Sequence, residues 1–345
     1  MGNPYLLFIK QVVICITQYI MSLIIIFERP MHIRHTYTWI LSFIWLCTHL
    51  TAQEAELRYR LLPGQTYTLE IELDQRTHSE SAGSDEVTLF SQMKIDFYVD
   101  SVNQRGTIFM VAGYRDLLLS MLAPSMDMDI NSASGRDRML TQMMDSLEQR
   151  KFRLVMHPSG ELESFDEISP VIRAFAAGRD ADADQHGLVL NTMDEVYGTH
   201  AFHSLFHLFV SVYPVVQPIK NWTRDLIYYF NTKPVQMVNR FYLTKTTEKV
   251  ITIQGLGMLN STGDLHEKDS RREISSRVSG SQTYDFQMDA ETGWLKQCVS
   301  RQRLVIETTI IRDPRLPSGL RIPSYTETLF EVKGTHTGNK TAPDD

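Results

Sequence analysis

Tyr67-Thr68-Leu69-Glu70-Ile71-Glu72-Leu73-Asp74 places an apolar side chain at every second position and a polar or charged one between. Successive side chains of a strand point to opposite faces, so a period of two describes a strand with one dry face and one wet face. Met93, Ile95, Phe97 and Val99 repeat the pattern against Lys94, Asp96, Tyr98 and Asp100. Asn103-Gln104-Arg105-Gly106 then reads as a turn, and Thr107 to Tyr114 as the returning partner. Strands joined by such turns form an antiparallel meander, not the βαβ crossover of a parallel sheet.

Working outward, the period changes in the middle of the chain. Met139, Leu140, Met143, Met144 and Leu147 share one face of a helix expected across Arg136–Arg150. A short strand, Phe152 to Met156, follows, with a turn at His157-Pro158-Ser159-Gly160. Ser164 or Asp166 is expected to cap a helix carrying Val171, Ile172 and Phe175. Arg179 to Gly187 reads as a polar loop, and Thr192 to Val212 as one long helix stopped by Pro214. Strand periodicity returns at Gln236–Thr244, Val250–Leu259, Ser281–Met288, Trp294–Thr309 and Tyr325–Val332. Leu265–Arg272 is charged and reads as a loop. Phe152–Met156 with Gly160-Glu161-Leu162 echoes Tyr284–Met288 with Gly293-Trp294-Leu295, either as two lobes of similar plan or as two similar hairpins by chance.

The N-terminal stretch reads as an address. Residues 31–53 have a short basic head, an apolar run from Trp39 to Leu50 too short to span a bilayer comfortably, and a small-residue exit at Thr51-Ala52. That pattern predicts a secretory signal peptide cleaved near Ala52 or Gln53. A second apolar run, Gln11 to Phe27, precedes it. Either translation starts at Met31 and residues 1–30 are a mis-called start, which we favour, or the first run is a membrane helix; a complete signal directly after such a helix would be odd.

Composition narrows the function classes. The 43% hydrophobic and 22% charged content belongs to a folded chain. The net charge is -7, and losing residues 1–53 (Lys10, Arg29 and Arg34 against Glu28) leaves 31 basic and 40 acidic residues, or -9. An acidic surface argues against a phosphate-backbone partner, so nucleic acid is excluded as an expectation. Beyond Cys15 and Cys47 only Cys298 is left, so no intramolecular disulfide is expected in the mature chain; Cys298 reads as a small buried hydrophobe.

Five pieces in order along the chain resemble an uncharacterised family of exported proteins found mainly in Bacteroidota, a domain of unknown function. They are Leu62-Pro63-Gly64-Gln65-Thr66-Tyr67; Val102 to Ile108 around Gly106; Phe152 to Leu162; Tyr213-Pro214 with Pro218 to Thr223; and Asp289 to Leu295 with its Thr292-Gly293-Trp294 turn. Lys220-Asn221 stands before Trp222 where the family has Gly-Asp. The resemblance would cover roughly residues 57–333, and it implies an exported β-rich protein with no established activity.

Several candidate sites can be weighed. His200, His203 and His207 fall on one helix face within two turns, a spacing that can bring imidazoles to one zinc or copper ion. The glutamate of a His-Glu-x-x-His motif is missing, and Phe202, Phe206 and Phe209 point instead to a buried face. Asp180, Asp182 and Asp184 resemble the start of a calcium loop, but Gln185 and Asn191 stand where Gly and Glu are required. No Gly-x-Ser-x-Gly turn or phosphate loop occurs. The methionine cluster (Met121, Met126, Met128, Met139, Met143, Met144) fits either core filling or a groove for an apolar ligand lined by Met139, Met143 and Leu147.

These readings predict an α+β, predominantly antiparallel fold. Curved sheets are expected in two β-rich lobes, about 57–165 and 234–333, with helices inserted between them across 166–213 and a flexible tail from 334 to 345. The function expected is a non-enzymatic protein of the periplasm or outer cell envelope of a Gram-negative bacterium, binding a lipid, another apolar ligand or an envelope protein, without a cofactor. The alternative is a metal-dependent hydrolase built on the histidine-bearing helix.

Overall fold

The computed structural model describes residues 57–80, 86–123, 126–131, 138–176, 183–216, 220–230, 233–268, 273–314 and 316–337. Among them, thirteen strands form one sheet, antiparallel at every pairing, with the order β6-β5-β3-β2-β1-β13-β12-β11-β9-β8-β7. At its centre the first strand, β1 (Thr66–Ser79), pairs with the last, β13 (Arg321–Thr337). From there one meander runs outward through β2 (Glu86–Val102), β3 (Ile108–Ala123), β5 (Lys151–Met156) and β6 (Leu162–Phe165). The other runs through β12 (Leu295–Arg312), β11 (Glu273–Asp289), β9 (Val250–Asn260), β8 (Lys233–Thr246) and β7 (Asn221–Phe230). Two short strands, β4 (Met126–Asn131) and β10 (Leu265–Lys268), extend the edges of β3 and β11. The two β-rich stretches of sequence are thus the two halves of a single sheet, and the fold is predominantly antiparallel β with a few inserted helices.

The period of two is what buries one face. Tyr67, Leu69 and Ile71 of β1, and Met93, Ile95, Phe97 and Val99 of β2, are all buried, while the residues between them face outward. Among the described residues four helices cover that face: α1 (Arg138–Gln149), α2 (Ser169–Ala176), α3 (Ala183–Tyr197) and α4 (Thr199–Phe209). α4 crosses the sheet with its phenylalanines: Phe202 packs on Phe152 of β5 (ring centroids 4.9 Å), Phe206 on Phe97 of β2 (6.4 Å) and Phe209 on Phe330 of β13 (5.4 Å). No helix among the described residues is long and apolar enough to cross a membrane.

The structure corrects several boundaries. The single helix expected over Thr192 to Val212 is two, broken at Gly198, and the first begins nine residues earlier, at Ala183. A Cβ at Gly198 would lie 2.0 Å from Asp194 Oδ1, so the break needs glycine. Neither Ser164 nor Asp166 caps α2. Asp166 instead accepts the Arg153 amide (2.9 Å), and Thr199 Oγ1 takes the Ile168 and Ser169 amides (both 2.9 Å). Leu265–Lys268 is strand rather than loop, β7 and β4 have no counterpart among the expected strands, and residues 334–337 continue β13 instead of joining the tail. The signal-peptide region, the tail beyond 337 and Asp180 and Asp182 of the acidic loop lie outside the described residues.

One end of the sheet is sealed by aromatics. Tyr59 sits against Tyr213 (4.9 Å) and Trp294 (6.0 Å), and Trp294 against Tyr67 (5.3 Å) and Phe97 (5.6 Å). Their polar tips are bonded: Tyr59 donates to the Val210 carbonyl, Tyr213 to Gly293 (both 2.8 Å) and Trp222 to Val212 (2.7 Å). Gly160 closes the seal at φ +82°, where a Cβ would lie 2.1 Å from the Val210 carbonyl oxygen and 2.9 Å from the Tyr59 ring. Gly160→Ala is therefore expected to cost at least about 2 kcal/mol from left-handed strain plus the clash. Denaturant unfolding checks this, and an unchanged midpoint would show that the seal yields freely.

Candidate functional site

Between the inward face of the central strands and the α3–α4 pair lies a cavity of about 350 Å³. Its floor is mostly apolar: Leu73, Leu89, Met93, Leu304, Ile306 and Phe330 come from alternate positions of β1, β2, β12 and β13, with Gln75, Thr77 and Thr326 as polar interruptions in the same rows. Leu205 and Leu208 of α4 and Val196 of α3 form the roof. The rim is polar and aromatic, with Asp194, Glu195 and His200 beside Tyr228, Tyr229 and Phe230 at the end of β7.

The roof is held by a cross-connection between helices. Ser169, first in α2, accepts the Thr199 amide (2.9 Å) and donates to Asp194 Oδ1 (2.5 Å), while Thr199 caps α2 in return. Each hydroxyl thus serves the other helix's free amides, the job that a local cap performs within one helix. Asp194 also lies 3.9 Å from Arg173 of α2.

Glu195 differs from its neighbour. The residue is exposed, and among the described residues it forms no hydrogen bond or ion pair. Desolvation by the surrounding protein, then the charges of Glu267 and Asp194, push its carboxyl up to about 7. The exposure of the residue works against that desolvation, and the two neighbouring acids keep the direction upward. An acid whose folded value is raised contributes most stability below its unfolded value and loses it as pH climbs through the folded one.

Across the same inward face runs a line of polar side chains in one register. Arg224 on β7 faces Asn239 on β8, which faces Gly257 on β9, Gln282 on β11, Gln302 on β12, Thr328 on β13 and finally Gln75 on β1, at the cavity wall. Gln302 donates to Gln282 (3.0 Å), Gln282 to Ser300 (2.7 Å), Thr328 to Gln75 (3.4 Å) and Tyr284 to Asn239 (3.3 Å). Gly257 is glycine because Asn239 Oδ1 occupies the place of a side chain, 2.3 Å from where a Cβ would stand. Burial pulls the Arg224 guanidinium below its usual value; Glu161, 4.0 Å away, acts against this. Among the described residues, Arg224 Nη1, Asn239 Nδ2 and His203 Nδ1 have no hydrogen-bond partner.

The three histidines lie together on α4, turned toward β7. His203 and His207 have ring centroids 4.0 Å apart, and His200 stacks on Tyr229 at 4.3 Å. His207 Nδ1 lies 3.2 Å from the Ile227 carbonyl, which only a protonated Nδ1 can satisfy, and Ser204 accepts the Tyr229 amide at 3.0 Å. These two contacts occupy free backbone groups of an edge strand, so α4 shields that edge from pairing. Burial, then the charges of His207 and His200, lower His203 to about 4 and keep it neutral. No three His, Cys, Asp or Glu side chains among the described residues are placed to hold a metal ion.

The expected groove residues lie elsewhere. Met143 and Leu147 are fully buried on α1, which packs on β3 and β4, and neither lines the cavity; the side chain of Met139 lies outside the described residues. Among the described side chains of the methionine cluster, Met121 is the one that reaches the wall. Cys298 is wholly buried, and burial raises its thiol far above the usual range, so it is no nucleophile. The cavity's own residues are drawn from strands and helices far apart in the chain, and only their inward register would have joined them in the sequence.

The sequence model of a family of unknown function (DUF6263) matches residues 105–295. The chain belongs to that family. The match is narrower than the 57–333 expected, and leaves out the opening piece around Gly64. No curated protein matches. Among solved structures, a lipovitellin chain studied for lipid–protein interactions is 10% identical over 83% of this chain and 27% of its own, with a TM-score of 0.47. This chain thus spans about a quarter of lipovitellin's length. An outer membrane channel from Pseudomonas putida is 8% identical over 81% and 98% (TM-score 0.19), and Pseudomonas aeruginosa OpdQ 7% over 79% and 98% (0.17). Likenesses this distant carry no argument about what the DUF6263 chain does.

Glu195→Gln tests the rim. The variant should match the parent's thermal stability near pH 4 and exceed it near pH 8, because an amide at that position has no proton to lose. Comparing unfolding midpoints of variant and parent at each pH cancels the opposite trend of His203. A constant difference, or one that shrinks as pH rises, would refute the raised carboxyl.

Proposed function

We propose that this chain is a non-enzymatic binding protein of the cell envelope that shelters an apolar chain in the cavity beneath α3 and α4. The cavity carries the reading. Protein interiors pack as densely as organic crystals and leave few voids larger than a water. A space of about 350 Å³ beneath two helices forgoes the dispersion contacts that close packing of the same side chains would give. A space that size with an oily floor and a polar, titratable rim is therefore better explained as a ligand site, and its volume falls at the lower end of the roughly 300–1,000 Å³ typical of such sites.

The envelope location rests on the reading of residues 31–53 as a secretory leader. Engagement of the histidines with the β7 edge favours the binding reading over a hydrolase built on them.

Filling the space is the test. Leu89→Trp should project an indole over the floor, at an overpacking cost of about 1–3 kcal/mol. Displacement of the neutral dye N-phenyl-1-naphthylamine would then weaken at least tenfold, while circular dichroism stays that of the parent. Native mass spectrometry of the purified chain should also find a bound apolar molecule in the parent and not in the variant. Unchanged dye binding in a folded Leu89→Trp protein would remove the cavity from consideration.

A further inference from the structure

We propose that the ligand is a single-chain amphiphile bearing a cationic nitrogen, with its alkyl chain on the cavity floor and its ammonium at the rim between Glu195 and the aromatic end of β7. This rests on the binding reading above and names the class of molecule bound.

The rim is acidic. Two carboxylates, Asp194 and Glu195, stand on the cavity wall, and no lysine or arginine does among the described lining residues. Glu267 of β10 adds a third negative charge within electrostatic reach of Glu195. Asp194 is already engaged by Ser169 and faces Arg173, whereas Glu195 has neither hydrogen bond nor ion pair among the described residues. An anionic headgroup entering here meets the like charge of Glu195, and a neutral one leaves Glu195 unanswered. A cation answers it.

The surface beside the carboxylate is aromatic. Tyr228, Tyr229 and Phe230 line the rim in sequence, and His200 stacks on the Tyr229 ring. Aromatic faces attract cations through their quadrupoles, and walls of this type recognise quaternary ammonium groups. The floor behind them is mostly leucine, isoleucine, methionine and phenylalanine, which suits a hydrocarbon chain.

The groups that face Glu195 are Asp194 on its own helix, His200 on α4, Tyr228 on β7 and Glu267 on β10. Desolvation, and then the two acids beside it, make the carboxyl hold its proton more tightly than usual, so a bound ammonium is expected to expel that proton. Ammonium affinity should therefore rise with pH in the range where Glu195 ionises, and affinity for an uncharged chain should not.

The experiment is isothermal titration of the full mature chain with decyltrimethylammonium, decanol and decyl sulfate, each below its micelle concentration, at pH 5.5 and pH 8. Decyltrimethylammonium should bind at least tenfold more tightly than decyl sulfate at pH 8, with decanol between them. Its affinity should strengthen several-fold from pH 5.5 to pH 8. In Glu195→Gln, verified as folded by its unfolding transition, the ratio of ammonium to alcohol affinity should fall and the pH dependence disappear. Equal or tighter binding of the sulfate, or a ratio indifferent to Glu195→Gln, overturns the cationic assignment while decanol binding keeps the cavity reading alive. Failure of all three to bind overturns both.

Discussion

Fourteen consecutive residues of β1 pair with β13, from Thr66 opposite Thr337 to Ser79 opposite Ser324, and the rest of the architecture follows from that one ladder. With the first and last strands joined at the centre, each meander can grow only outward. The chain therefore ends the first meander at one outer edge, β6, and must begin the second at the other, β7. The connecting segment has to cross the sheet, and it does so as α2, α3 and α4, on the face where alternation has placed the apolar side chains. The same crossing brings α4 between the two edge strands. Phe165 of β6 touches Phe202 (5.4 Å) and His203 (5.9 Å), and Tyr229 of β7 touches His200 and His203. A sheet this wide would otherwise present two free edges to other chains. Because its central pairing joins residues at opposite ends of the domain, the loop-closure entropy is met before any contact there rewards it.

The two ends of the sheet then divide the work. At one end, distant turns meet: the Tyr59 amide donates to the Pro158 carbonyl (2.8 Å), Ser211 donates to the Gly160 carbonyl (2.7 Å), and the Arg60 amide bonds to Thr292 (2.7 Å). Every piece of sequence that carried the family resemblance contributes here, including Gly106, whose Cβ position lies 2.9 Å from Pro158. These glycine-containing hairpins are therefore closures, fixed by aromatic packing and buried carbonyls. The cavity lies apart from that seal, under the α3–α4 pair. Its rim residues carry no recognisable motif.

This division explains what was legible in the sequence. β1, β2, β8, β9, β11, β12 and β13 announce themselves because alternation survives wherever one face is dry. β7 does not: Trp222, Arg224 and Leu226 are its inward residues, and a buried arginine in the middle breaks the apolar period. β10 fails for the opposite reason, since Leu265-His266-Glu267-Lys268 has no fully buried residue and pairs only with the far end of β11. The break at Gly198 was hidden because glycine inside a helical pattern is tolerated, and only the position of Asp194 makes it a necessity here. The histidine spacing was real and misleading in equal measure. Residues three and four apart do share a face, but the face belongs to a sheet edge that was itself unseen. Met143 and Leu147 have the right chemistry for a groove, yet α1 lies flat on β3, with Glu148 accepting the Leu117 amide (2.9 Å), so they have no open space before them.

The polar register and the cavity are best understood together. A fully apolar inward face would have been simpler for stability, since buried amides contribute only when their partners are present. Yet Gln282 and Gln302, both almost wholly buried, bond to each other across β11 and β12, and the row continues through Thr328 to Gln75 on the cavity wall. Removing one amide would strand its neighbour at a cost of about 1–3 kcal/mol, and replacing both with leucine would still take from the buried Ser300 hydroxyl its bond to Gln282. The row thus fixes the register of the central strands by making any slip of one residue expel several bonded amides at once. That same register aims Leu73, Leu304 and Phe330 at a common point beneath α4. The shape of the cavity floor is in this sense a product of polar pairing one row away, and a sheet held in register only by oily contacts would have no comparable reason to keep the space open.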